Sequence, residues 1–182
     1  MNDVADEKLV EMFTESGEMR HFDELVRRYT GKVRTMIYHM VLNDADADDL
    51  TQEVFVRIVN NIHRFRRESL FSTWFYRIAM NTTRGYLMKK SRAPVVFHED
   101  LPEYPDHSLS PDRSLISSET VSQVGEALAE LSPSLRSAIT LTVMQEMSIK
   151  EAAKVEGCLV ATMYWRVHEA RKFLKKKLQK RS

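Results

Sequence analysis

DDLTQEVFVRIVNNIHRFRRESLFSTWFYRIAMNTTR, residues Asp48 to Arg84, is the stretch on which the fold turns. Its first half opens with acidic residues, which suit the positive end of a helix dipole. Leu50, Val54, Phe55, Ile58, Val59 and Ile62 then recur at steps of mostly three and four, one face of an amphipathic helix. The second half opens at Ser72, a residue type that caps helices, and carries Phe75, Ile78 and Ala79 at the same period. Between them lies His63-Arg64-Phe65-Arg66-Arg67-Glu68-Ser69, a short basic and aromatic link. Two helices with such a hinge form a platform for something anionic and flat.

Working outward, Val4–Thr14 reads as a first helix with Leu9, Val10 and Phe13 on its apolar face. Arg20–Val41 is a second, carrying Phe22, Leu25, Val26, Tyr29, Val33, Met36, Ile37 and Met40. Asn43-Asp44-Ala45-Asp46 caps a third, from about Ala47 to Asn61, and the fourth runs from Ser72 to Lys89. Composition shifts at residues 91–118, which hold Pro94, Pro102, Pro105 and Pro111 among acids and serines. Such a segment reads as a flexible linker and a domain boundary. The period returns from Glu119 with Val121, Val124, Leu128 and Leu131, and Ser132-Pro133 opens a helix with Leu135, Ile139 and Val143 inward. The fold expected is all-α: a four-helix domain over 1–90 and a smaller helical domain over 119–182.

Composition agrees. The chain has 182 residues, 43% of them hydrophobic, with 5 Gly and 5 Pro, which suits packed helices better than a turn-rich β fold. A lone Cys158 excludes an internal disulfide. An acidic start without an apolar run, and no stretch near the roughly 18 residues needed to span a bilayer, predict a cytoplasmic protein without membrane insertion. The net charge of +1 hides segregation. Met1–Glu24 holds eight acids against two bases, and Arg166–Ser182 eight bases against one acid. Blocks of this kind pair a nucleic-acid face with acidic surfaces, although a basic tail also suits a solvated helix end.

SIKEAAKVEGCLVATMYWRVHEARKFL, from Ser148, has the layout of a helix-turn-helix. Ser148 and Glu151 fit a capping box, Ala152-Ala153 permits close helix approach, and Gly157 suits the left-handed turn. A long helix from about Val160 to Leu178 then has Met163, Val167, Ala170 and Leu174 inward. Near its start it offers Ala161, Thr162, Tyr164, Trp165 and His168 outward, the end that enters a major groove in this motif. Arg166, Arg171 and Lys172 lie within reach of phosphates. A helical hairpin with a basic tail is the competing description. The six histidines are scattered without ligand spacing, and there is no phosphate loop or nucleophile–base arrangement. No enzyme activity, metal or cofactor is expected.

The chain resembles a bacterial RNA polymerase sigma factor of the extracytoplasmic-function group. Asp48-Asp49-Leu50, Gln52-Glu53-Val54-Phe55 and Arg57 look like the family's polymerase-binding helix. Phe71 to Ala79 with Asn81 look like its −10-melting segment, and Leu131-Ser132-Pro133 through Arg136, then Met147 to Arg171, like its −35-reading domain. The resemblance implies that Asp48, Asp49, Gln52, Glu53 and Arg57 contact polymerase. It implies that Arg64, Phe65, Arg66, Ser69, Phe71, Arg77, Asn81 and Arg84 contact the −10 element. Aromatic faces accept unstacked bases, arginines hold phosphates, and Ser69 suits a base edge. Leu50, Phe55 and Ile58 read as bundle core, and so does Trp74. The −35 contacts would be Ala161, Thr162, Tyr164, Trp165, Arg166, His168, Arg171 and Lys172. Here the chain departs from the family, with Leu159, Ala161, Tyr164, Trp165, His168 and Glu169 where a capping serine, a glycine and small or basic residues are usual. Glu169 suits a cytosine amino group, or equally an ion pair with Arg166 or Lys172. Core polymerase, promoter DNA and an anti-sigma factor are the implied partners. Two further classes remain at this point: a helix-turn-helix regulator that is not a polymerase subunit, and a helical adaptor with a basic tail.

Overall fold

The computed structural model describes residues 4–92 and 116–179, with side chains from residue 123 in the second span. Most of the expected linker therefore lies outside the described residues. Its two ends do not: Ser91 and Arg92 close the fourth helix, and residues 116–118 open the fifth.

The first unit is built from α1 (Asp6–Ser16), α2 (Met19–Val41), α3 (Asp44–Asn61) and α4 (Phe71–Arg92). Their apolar stripes meet as expected: Leu9, Leu25, Val33, Met36, Ile37, Leu50, Val54, Ile58, Phe75 and Ala79 are buried. An aromatic cluster joins three of the helices, with ring centroids 4.5 Å apart for Tyr29–Phe75 and 5.6 Å for Phe55–Phe75. Each such ring contributes about 1.5–3 kcal/mol through burial alone. Asn43 caps α3 by accepting from the Asp46 N–H at 2.9 Å. The cap of α4 comes from elsewhere. The helix begins at Phe71 rather than Ser72, and the Phe71 N–H donates to Glu7 Oε1 of α1 at 2.7 Å. A carboxylate at that N-terminus satisfies an orphan donor and meets the positive dipole end.

The second unit holds α5 (Ile116–Ala129), α6 (Pro133–Ile139), α7 (Ile149–Glu156) and α8 (Val160–Gln179). Pro133 sits in the first turn of α6. The helix then widens into a π turn over Thr140–Met144, which rotates the register and leaves Val143 49% exposed instead of inward. The Ser148–Glu151 capping box is present, with Glu151 N–H donating to Ser148 Oγ at 3.2 Å and Ser148 N–H to Glu151 Oε2 at 2.9 Å. The Ser148 hydroxyl, which donates to Glu151 Oε2 at 2.7 Å, and then the Ser148 N–H hold the Glu151 carboxyl below the usual range. Gly157 ends α7 at φ 64°, the left-handed region that favours glycine.

The two units pack on each other. Ala138, Leu141, Ala152, Ala153, Val155, Met163 and Val167 belong to the same hydrophobic cluster as the four-helix core. Arg136 ties both halves through carbonyls at helix ends. Its guanidinium donates to Leu128 O at 2.8 Å, Ala129 O at 2.6 Å and, across the boundary, Met40 O at 2.9 Å. Tyr76 Oη donates to Gln145 Oε1 at 2.8 Å, and Gln145 Nε2 to Lys32 O at 3.1 Å.

Candidate polymerase and nucleic-acid interfaces

Three surfaces carry the residues singled out above. The first is the outer flank of α3, where Asp48, Asp49, Gln52, Glu53 and Arg57 are all exposed. Arg34 of α2 forks Asp48, with Nε 2.6 Å from Oδ1, and also reaches Asp44 at 2.9 Å. That hydrogen bond lowers the Asp48 pKa from its ordinary value. Glu53 and Arg57 pair along the helix at 2.6 Å. Val56 lies among them, 57% exposed, an apolar side chain in solvent that the sequence pattern concealed because it sits off the buried stripe.

The second surface joins the hinge to α4. After α3 a single 3₁₀ turn, Ile62–Arg64, leads into the link, where Arg64 and Arg66 are exposed and Ser69 half-buried. Arg67 adopts φ 59° and pairs with Glu11 of α1 at 3.4 Å. Phe65 is half-buried, its ring 5.6 Å from those of both Phe71 and Trp74. Phe71 corrects an expectation: it is fully buried, packed edge-on against Tyr29 at 5.7 Å, and presents no free face to a base. Its place at the α4 N-terminus, under α1, puts it in the core instead. Trp74, read as core, is half-buried at the edge of that cluster.

Arg77, Asn81 and Arg84 recur at four and three residues on one face of α4. That face meets α7. Arg77 Nη2 donates to the Lys154 carbonyl at 2.6 Å, and Arg84 pairs with Glu156. The second oxygen of Glu156 takes Arg166 Nη1 at 3.2 Å. The Glu156 side chain is only 3% exposed, so one buried carboxylate bridges an arginine of the predicted −10 surface to one of the predicted −35 surface. Asn81 stays exposed. Glu156 went unnoticed in the sequence because both partners are distant along the chain from a residue that otherwise reads as a helix end.

The third surface is the start of α8. Ala161, Tyr164, Trp165, His168, Arg171 and Lys172 are exposed, Thr162 is half-buried, and Met163, Val167 and Ala170 face inward as the period requires. Arg166 turns to Glu156, and among the described residues Glu169 enters no ion pair with Arg166 or Lys172. Among the described residues no cluster of His, Cys, Asp or Glu could hold a metal, and no helix is long and apolar enough to cross a membrane.

Known families match this arrangement region by region: sigma-70 region 2 over residues 25–93 and sigma-70 region 4 over residues 122–174. The RNA polymerase sigma-H factor of Pseudomonas aeruginosa is 35% identical, the alignment covering 96% of this chain and 94% of that protein. The ECF RNA polymerase sigma-E factor of Escherichia coli is 32% identical over 97% of this chain and 95% of that one. Among solved structures, CnrH in complex with the cytosolic domain of CnrY superposes with a TM-score of 0.74 at 26% identity, covering 98% of this chain and all of that one. Regions 2 and 4 in that order define the sigma-70 class of promoter-specificity factors. The chain belongs to its extracytoplasmic-function group. Members of this family bind core RNA polymerase and direct promoter-specific initiation as non-catalytic factors. The region 2 match over the first unit disfavours a regulator that acts without polymerase.

Proposed function

We propose that the three surfaces divide the work of initiation. The exposed flank of α3, with Asp49, Gln52, Glu53, Val56 and Arg57, docks on core polymerase. The hinge, through Arg64, Phe65, Arg66 and Ser69, and α4, through Arg77, Asn81 and Arg84, hold the unwound −10 strand. The start of α8 reads the −35 duplex, with Arg171 and Lys172 on phosphates. The observation that carries this reading is the placement of two basic surfaces on two units whose order matches regions 2 and 4. Two modest sites on one chain gain affinity through effective concentration when the promoter elements are suitably spaced. The factor works beside the polymerase in the cytoplasm. Its antagonist is an anti-sigma protein; CnrH was likewise solved with a protein partner, the cytosolic domain of CnrY.

Transcription from a promoter-library pool with purified core polymerase, with and without the chain, tests the whole. Dependence of initiation on the chain is expected, and its absence on every promoter defeats the reading. Asn81→Ala and Arg84→Ala should impair open-complex formation more than core binding. Loss of polymerase association instead would show that α4 and α3 have been given each other's roles.

A further inference from the structure

Resting on the assignment of α8 to the −35 duplex, we infer that this helix reads thymine through its C5-methyl group, by apolar contact from Tyr164 and Trp165. Leu159, Val160, Tyr164 and Trp165 are 76%, 50%, 63% and 59% exposed, a contiguous apolar surface at the helix start. Soluble proteins leave such residues in water singly, and a contiguous patch marks a contact surface. The surrounding charge says which kind. Arg171, Lys172, Lys175 and Lys176 follow on the same helix and are exposed, which favours a polyanion over an apolar protein face.

The side chains then restrict how bases are read. Strong hydrogen-bond readout needs the parallel fork of Arg, Asn or Gln, or a lysine, aimed at a base edge. The exposed positions from Leu159 to His168 contain none of these. The one arginine in the interval, Arg166, is half-buried and bonded to Glu156. Tyr164 and Trp165 each carry one donor, His168 cannot form a parallel fork, and Glu169 only accepts. What this face offers in quantity is apolar area. The thymine methyl is the apolar group that major-groove base edges present. Val160, Ala161, Tyr164, Trp165 and His168 share one broad face at the helical period, with Tyr164 and Trp165 midway along its length, where methyls on successive base pairs come within reach.

Holoenzyme assembled from core polymerase and the full chain tests this on a promoter selected from a randomised library, with the −10 element unchanged. Each −35 thymidine on either strand is replaced by deoxyuridine, which removes only the methyl. Initiation at subsaturating holoenzyme should fall about fourfold for each contacted methyl, the scale of one methyl group withdrawn from water. Replacing T·A by C·G should cost more, and 5-methylcytosine should recover part of that loss. Trp165→Ala and Tyr164→Ala should reduce initiation and abolish the sensitivity to deoxyuridine. Both residues are exposed, so thermal melting should stay unchanged. A selected −35 element of G·C pairs alone, deoxyuridine without effect at every position, or sensitivity that persists in the double variant would each overturn the inference. Normal initiation by the double variant would assign the patch to a protein partner. A holoenzyme inactive on every promoter would defeat the broader functional reading instead, and this inference with it.

Discussion

In the proposed division of work, the α4 face and the α8 face carry the same kind of job on opposite terms. The α4 face is built into the molecule: Phe71 beneath it belongs to the core, Arg77 is held by a backbone carbonyl of α7, and Arg84 is held by Glu156. The start of α8 stands free, and Tyr164 and Trp165 have most of their surface in water. A duplex can therefore approach α8 in this conformation, whereas a melted strand must displace α7 to use Arg77 and Arg84. In the proposed division of work the −35 contact is then available first and the −10 contact is conditional. Glu156 couples the two, since Arg84 and Arg166 share it. A carboxylate this buried is costly to leave unpaired, so loss of one arginine tightens the need for the other.

The difference in embedding sets the largest expected effect. Phe71→Ala removes a fully buried ring and should cost about 3–5 kcal/mol of stability. Trp165→Ala, on an exposed site, should stay within about 0.5 kcal/mol. Denaturant unfolding of both variants measures this, and a Phe71→Ala loss below about 1 kcal/mol would mean that Phe71 is a free platform after all.

Glu156→Gln attacks the coupling itself. It removes the anion that two arginines share and leaves their charges facing each other. The cost should be roughly 2 kcal/mol, less than the ~3–5 kcal/mol of a fully buried pair because both arginines keep access to water. The expected result is a larger radius by small-angle scattering and tighter binding of a single-stranded −10 oligonucleotide. An unchanged radius together with unchanged strand binding would show that Glu156 is ordinary packing.

Local features of this architecture were legible from residues alone, and distant ones were not. The stripes on α3 and α4, the Ser148–Glu151 box and the Gly157 turn each depend on residues within a few positions, so spacing reveals them. The packing of the two units was hidden, because Arg84–Glu156 and Arg136–Met40 join residues far apart in the chain, and the Glu7 cap of α4 within the first unit was hidden for the same reason. Phe71 was misread for a physical reason: an aromatic residue beside a basic hinge has the composition of a stacking platform, and only α1 lying over it makes it core. The acidic N-terminus was similarly ambiguous. In the structure Asp6, Glu7, Glu11 and Glu24 all bind partners within the chain, which gives that block a structural use.

That acidic block makes the −10 side of the comparison sensitive to pH. Glu24 is hydrogen-bonded by Arg27 and then Arg28, which holds its carboxyl at about 2, down from 4.5. A depressed carboxylate contributes stability that is fully present above about 4.5 and is lost as pH falls toward 2. Melting of the wild type between pH 7 and pH 3 should therefore fall more steeply than that of Glu24→Gln. Parallel curves would remove Glu24 from the acid response.

The smallest effect separates docking from folding on α3. Glu53 and Arg57 form an exposed pair one helical turn apart, and such pairs contribute about 0.3–0.5 kcal/mol. Arg57→Ala should hence leave the melting curve nearly unchanged. The neighbouring Val56 is also exposed, so Val56→Asp should likewise spare the fold while introducing a charge that a docked polymerase surface would have to desolvate. If this flank docks polymerase, both variants bind core polymerase more weakly, Val56→Asp the more so, yet keep their residual affinity for −35 duplex. If polymerase binding is unmoved in both, the exposed apolar residue and its polar neighbours are solvated surface, and docking belongs to another face of α2 or α3.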